Sequence, residues 1–150
     1  MTTPRMGRSA PPIEVLLVED NPGDVRLTRE ALRGTHIEHE LHIASDGVEA
    51  LQFLGREGRF GEAARPDLIL LDLNLPRLGG RDVLQTIKSD PALQTIPVVI
   101  LTTSESPRDI AQSYQLRANC YVTKPVDLQT FTEVFHFWLS IARLPQEASS

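Results

Sequence analysis

Five short apolar runs, each separated from the next by an amphipathic stretch, constrain this chain more than any other feature. They are IEVLLVED (Ile13 to Asp20), HELHIA (His39 to Ala44), LILLD (Leu68 to Asp72), VVILTT (Val98 to Thr103) and CYVTK (Cys120 to Lys124). Continuous apolar stretches such as Val15 to Val18 and Leu68 to Leu71 suit strands buried on both faces. HELHIA instead alternates, with Leu41 and Ile43 apolar. Buried strands spaced by helical patterns imply βαβ units and a parallel sheet. The 150 residues suit one domain with a real core and leave little room for a second.

The stretches between the runs have helix signals. Pro22 stands near the start of the first, with Val25, Thr28 and Leu32 on its inner face and Gly34 at its end. The second runs from about Gly47 and is expected to bury Val48, Leu51 and Leu54. REGRFGEAARP then reads as a loop. The third helix starts near Gly80 and buries Val83, Leu84 and Ile87. The fourth opens on SPRD, with Ser106 as N-cap, Pro107 in the first helical position and Asp109 in the first turn. The fifth follows Asp127, a second N-cap. There Leu128, Phe131, Phe135, Trp138 and Ala142 form one inward stripe. Val134, Ile141 and above all Phe137 fall outside it, a wider apolar arc than one sheet face needs. Two readings stand: a helix end tucked under ARLPQEASS, or a partner surface, with a second copy of the chain as the partner.

Charge narrows the function classes. A net charge of −5 with no basic run argues against a nucleic-acid surface and against anionic membranes. No apolar run approaches the roughly 18 residues of a spanning helix. MTTPRMGRSAPP lacks the apolar segment of a secretory signal and reads as a disordered tail over residues 1–12. Cys120 is the only cysteine, so no intramolecular disulfide forms, and a cytosolic setting is expected. Cys120 itself reads as a packed thiol. His36, His39 and His42 read as solvated or edge residues.

Open parallel sheets bind ligands outside the carboxyl ends of their strands. The runs end in Glu19 and Asp20, in Asp72, in Thr102 and in Lys124. Alone, each has an ordinary explanation as a turn former, cap or solvated residue. With strand order 2-1-3-4-5, however, the first and third strands are neighbours, and Glu19, Asp20 and Asp72 meet at the switch point. Three carboxylates so close disfavour ionisation and call for a cation. An all-oxygen donor set favours a hard ion such as Mg2+. Lys124 adds a positive charge and Thr102 a hydroxyl, together a site for a phosphoryl group in transfer.

VEDNPGD, LLDLNLP, LTT and YVTKP, in this order and spacing, resemble the receiver domains of two-component response regulators. The resemblance covers Ile13 to Leu144. The longer phrases VEDNPGDVRLTREAL, SDGVEAL, RPDLILLDLNLP and RANCYVTKPVDL are similar to the small single-domain regulators that serve bacterial and cyanobacterial phytochromes. The resemblance implies an α/β, doubly wound (βα)5 flavodoxin-like fold over residues 13–144, with a parallel five-stranded sheet of order 2-1-3-4-5 and a C-terminal tail over 145–150. It implies that Asp72 is the phosphoacceptor, a carboxylate nucleophile toward phosphohistidine. Asp20 and Asp72 would ligate Mg2+, with Glu19 assisting and Asn74 supplying its backbone carbonyl. Lys124 would pair with the phosphoryl oxygens, and Pro125 would follow a cis peptide bond that aims it. Thr102 would swing toward the phosphoryl group and Tyr121 turn inward with it, altering the face of the fourth helix, fifth strand and fifth helix. Gly80, opening the third helix, matches the family. Gly79 departs from it, standing where many relatives carry Asp.

The expected function is a phosphorylation-dependent switch, not a turnover enzyme, served by a sensor histidine kinase of phytochrome type. The sequence ends soon after the fifth helix. Output is therefore expected through protein contacts, including a homodimer over the fourth helix, fifth strand and fifth helix, or through phosphate relay. The competing class is a phosphatase of the haloacid dehalogenase type. That chemistry needs a general acid two residues after the nucleophile, where this chain has Asn74, and usually a nucleophile on the first strand. A nucleotide-binding Rossmann domain fails because EDNPGD replaces the Gly-rich turn, and a flavodoxin-like cofactor binder lacks a phosphate-cradling loop there.

Overall fold

The computed structural model describes residues 11–75, 77–124 and 127–143. The expected tails, apart from Pro11 and Pro12, and the expected cis bond before Pro125 lie outside the described residues. Five strands, β1 (Ile13–Val18), β2 (His39–Ala44), β3 (Leu68–Leu71), β4 (Val98–Thr102) and β5 (Cys120–Thr123), alternate with five helices. The helices are α1 (Pro22–Gly34), α2 (Gly47–Gly55), α3 (Gly80–Ser89), α4 (Pro107–Gln115) and α5 (Leu128–Arg143). Every strand pair is parallel and the sheet order is β2-β1-β3-β4-β5, as expected. Among the described residues, no helix is long and apolar enough to cross a membrane.

Period-two alternation divides the apolar runs between two cores. Leu16, Val18, Ile69, Leu71, Val98 and Ile100 face the α2 and α3 side, against Ala50, Phe53, Val83, Leu84 and Ile87. Val15, Leu17, Leu68, Leu70, Val99 and Leu101 face the other side, against Ala31, Leu32, Phe131, Phe135 and Leu139. Helix caps form where the sequence places them. Asn21, Asp46 and Ser106 accept from the third backbone N–H that follows each, and Pro22 and Pro107 open α1 and α4.

Two helix faces differ from expectation. In α2 the buried residues are Gly47, Ala50 and Phe53, while Val48, Leu51 and Leu54 are half-buried. This short helix is apolar over most of its surface, so periodicity leaves its phase open. The ring of Phe53 decides it, packing on His42 and Phe60 with centroids 5.2 and 5.4 Å away. In α5 the buried line is Phe131, Phe135 and Leu139. Leu128, in the first turn beside the exposed Asp127 cap, is 42% exposed, and Trp138 and Ala142 flank the core half-buried. The loop after α2 contains one 3-10 turn, Gly58–Phe60.

A buried lysine closes the amino end of the sheet. Lys88, at the end of α3, donates to the carbonyls of Gln94 and Ile96 at 3.1 and 2.9 Å and to Asn119 Oδ1 at 3.3 Å. Burial holds its pKa below the usual lysine range, with nearby Arg117 adding to the effect. Lys88→Met fills the space but leaves buried carbonyls unpaired. Urea unfolding is expected to show a loss of about 2 kcal/mol; an unchanged stability would mean water replaces the ammonium without cost.

Candidate functional site

The expected residues lie at or just beyond the carboxyl ends of the strands. Glu19 and Asp20 follow β1, Asp72 follows β3, Thr102 ends β4, and Lys124 follows β5. Glu19, Asp72, Thr102 and Lys124 are buried, at 2%, 6%, 0% and 7% exposure, whereas Asp20 is exposed. Buried strands on both flanks leave these side chains one direction in which to converge, the switch-point crevice.

Glu19, Asp20 and Asp72 each place a carboxylate oxygen within 4.8 Å of the others. Lys124 Nζ lies 2.8 Å from Glu19 Oε1 and 3.5 Å from Asp72 Oδ2. Asp72 Oδ1 accepts from the Asn74 N–H at 2.9 Å. The Asn74 carboxamide donates to Thr102 Oγ1 at 3.3 Å. Asn74 thus orients the carboxylate with its backbone and the threonine with its side chain. Leu73 is buried and Leu75 half-buried against the core, which holds this loop in place.

Gly80 explains how the loop can lie so close to α3. A Cβ there would stand 2.5 Å from Leu73 Cα and closer still to the Asp72 carbonyl oxygen. Both atoms are backbone and cannot rotate away. Gly79 is the α3 N-cap and supplies no side-chain cap bond.

Tyr121 is not in the carboxylate cluster. Its hydroxyl donates to the Ser104 carbonyl at 3.0 Å, and the Ser104 N–H reaches Thr102 Oγ1 at 3.4 Å. Ser104 Oγ in turn donates to Asp109 Oδ2 at 2.5 Å, and Asp109 pairs with Arg81 of α3. Sequence reasoning omitted one participant, Asp24, which takes a 2.8 Å bond from Lys124. Ser104, expected only to border the phosphoryl group, also joins Thr102 to Tyr121. Asp24 reads in sequence as a helix-start residue only. Away from the site, His42 bonds Glu14 at 2.7 Å, a partner brought across neighbouring strands and invisible to local spacing.

Burial pushes the Glu19 carboxyl up to about 7; the Lys124 hydrogen bond opposes this and the Asp72 charge adds to it. Burial works to lower the Lys124 pKa, but its bonds to Asp24 and Glu19 and the Asp72 charge outweigh that and raise it. The donor set fits a hard divalent cation: three carboxylates, oxygen only, with Asp20 open to solvent. Such an ion competes with the Glu19 proton. Affinity is therefore expected to fall as pH drops, by up to about tenfold per unit below pH 7, with proton release seen calorimetrically. The metal-free fold has the converse dependence. A carboxyl raised from 4.5 to about 7 adds stability below the lower value that is lost as pH rises through the higher. Affinity that stays flat between about pH 6 and 8 would mean Glu19 is already ionised.

Comparisons with known proteins give the family of this fold. The response regulator receiver domain family matches residues 15–136. Response regulator Rcp1 of a Synechocystis species is 47% identical over 141 residues, covering 91% of this chain and 96% of its own. The crystal structure of its Mn(2+)-bound form superposes with a TM-score of 0.84 at 46% identity, over 89% of this chain and 99% of that one. The phosphorylated cyanobacterial phytochrome response regulator RcpA gives a TM-score of 0.81 at 49% identity, over 90% and 99% of the two chains. With the family model matching residues 15–136 and a relative 47% identical over 91% of the chain, this chain belongs to the response regulator receiver domain family.

Proposed function

We propose that this protein is a single-domain phosphorylation switch that accepts a phosphoryl group on Asp72 from a sensor histidine kinase of phytochrome type. The observation that most supports this is the Asp72 carboxylate itself: buried, held through Oδ1 by the Asn74 N–H, and facing the Lys124 ammonium through Oδ2. A carboxylate oxygen forms a bond to phosphorus as the phosphorus–nitrogen bond of phosphohistidine breaks. The electron pair leaves with the imidazole, which then takes up a proton. Bound Mg2+ would supply charge neutralisation for the phosphoryl oxygens. Asp20, Asp72 and Glu19 are the residues placed to hold it, with the Asn74 carbonyl as the expected fourth ligand.

Lys124 then pairs with phosphoryl oxygens, and Thr102 exchanges its Asn74 partner for one of them. Moving Thr102 pulls on the Ser104 N–H, and Ser104 holds both the Tyr121 hydroxyl and Asp109 of α4. The change is thereby delivered to the α4-β5-α5 face. That face displays Tyr114, Phe137 (56% exposed) and Ile141, which supports homodimerisation through α4-β5-α5 and the C-terminal helix. The phytochrome assignment is supported by the likeness to RcpA. Acidic net charge supports protein partners rather than nucleic acid or an anionic membrane, and the single cysteine supports a cytoplasmic setting. The protein's own chemistry is limited to taking up and losing the phosphoryl group.

Incubation with acetyl phosphate and Mg2+ is expected to add one phosphoryl group, read by intact mass. Steady turnover of a small phosphate monoester would instead favour the phosphatase reading. In sedimentation, a strict monomer at high concentration, with and without phosphorylation, would remove the dimer.

A further inference from the structure

Lys124 has a carboxylate partner that its expected role does not call for. Its ammonium makes two short bonds, each 2.8 Å, to Glu19 Oε1 and Asp24 Oδ2, while Asp72 Oδ2 is 3.5 Å away. Charge-assisted N–H···O bonds sit at about 2.7–2.9 Å, so the lysine is held by Glu19 and Asp24 and only approached by Asp72. Asp24 is well placed to hold it. It lies in the first turn of α1, where the helix N-terminus favours a carboxylate. Its own N–H is anchored to Asn21 Oδ1 at 3.0 Å. Its side chain is 36% exposed, so it draws the ammonium toward the α1 rim of the crevice.

We propose that Asp24 is a positioning residue of the acceptor site, tethering Lys124 on the α1 side so that the lysine reaches a phosphoryl group on Asp72 only by leaving Asp24. The inference rests on the phosphoacceptor reading above and adds a residue to it. Two consequences follow from the geometry. The tether weighs against the phosphorylated state, in which Lys124 belongs to the phosphoryl oxygens. In the unphosphorylated state it draws the ammonium off the Asp72 carboxylate, one of the three placed to hold a divalent cation.

Asp24→Asn is therefore expected to lengthen the acyl-phosphate lifetime at saturating Mg2+ by on the order of threefold to tenfold, the net weight of one hydrogen bond whose acceptor stays partly in water. Asp24→Glu should restore most of the wild-type lifetime. A second measurement needs no phosphorylation. Calorimetric titration with Mg2+ should show several-fold weaker binding for Asp24→Asn than for the wild type. In a Lys124→Met background the same substitution should have much less effect, because the tethered group is gone. An equal loss of Mg2+ affinity in both backgrounds would show that Asp24 acts only as a nearby charge and would overturn the tether. So would an unchanged or shortened lifetime. Failure of the wild type to take a phosphoryl group on Asp72 would overturn the acceptor reading instead, and the Mg2+ cycle would still decide the tether.

Discussion

Asp72→Asn is expected to abolish phosphoryl uptake from acetyl phosphate while leaving the fold intact. The carboxamide has the size of the carboxylate, and its oxygen still accepts the Asn74 N–H now bonded to Oδ1. It is, however, a neutral amide with no anionic oxygen to attack phosphorus. The substitution also removes one of three mutually repelling carboxylates, so the metal-free protein should be no less stable than the wild type. Affinity for Mg2+ should fall, since one expected ligand charge is gone. Intact mass reads the first expectation and thermal unfolding the second. Continued labelling of Asp72→Asn would move the nucleophile elsewhere, with the exposed carboxylate of Asp20 as the first place to look.

Gly80→Ala should do large structural damage for a single added methyl. The new carbon would overlap backbone atoms of Asp72 and Leu73, and the Gly80 N–H is bonded to the Leu73 carbonyl at 3.1 Å. Relief requires α3 and the acceptor loop to move apart. Overpacking of this kind costs about 1–3 kcal/mol, and with both clashes on backbone the upper end is expected in urea unfolding. The same displacement moves Asp72 relative to Glu19, so Mg2+ affinity should fall in parallel. Wild-type stability with wild-type affinity would mean the loop yields freely and Gly80 has no positioning role. Gly79 is the contrasting neighbour. An added Cβ there meets only Asp82 Oδ2, at 3.9 Å, and the backbone φ of −68° suits any residue. Gly79→Asp offers α3 the missing cap, a gain of only a few tenths of a kcal/mol over glycine that the like charge of Asp82 reduces.

The contrast between those glycines marks how far sequence reasoning reaches. The sheet order followed from the resemblance to receiver domains, whereas strand identity was legible because β1 from Val15 onward, β3 and β4 are continuously apolar and each is followed or closed by a chemically distinctive residue. The acceptor cluster was legible for the same reason: strand ends in a parallel sheet converge whatever the helices do. The phase of α2 was not legible, since Val48, Leu51 and Leu54 are as apolar as Ala50 and Phe53, and only packing against Phe60 and His42 chooses between them. Asp24 was hidden by its plausibility as a helix-start residue, and its bond to Lys124 spans 100 residues. Lys88 was hidden in the opposite sense. A lysine in the last turn of an amphipathic helix reads as solvated, and nothing local announces its three acceptors, of which the Ile96 carbonyl is buried.

Lys88 also has a mechanical meaning. Its ammonium joins the end of α3 to the segment entering β4, and Asn119, which it touches, also takes the Val98 N–H at 2.9 Å. The Arg117 side chain, just past α4, reaches the Lys88 carbonyl. The C-terminal foot of α4 is therefore bolted to the same end of the sheet as the starts of β4 and β5. Its N-terminal end hangs on Ser104, Ser106 and Arg81 at the acceptor side. α4 is thus held to the sheet at its Arg117 end and to the loop after β4 and to α3 at its Asp109 end. A displacement beside Asp72 would reach the helix through its Asp109 end first, so any movement of α4 is expected as a swing about Arg117 rather than a slide.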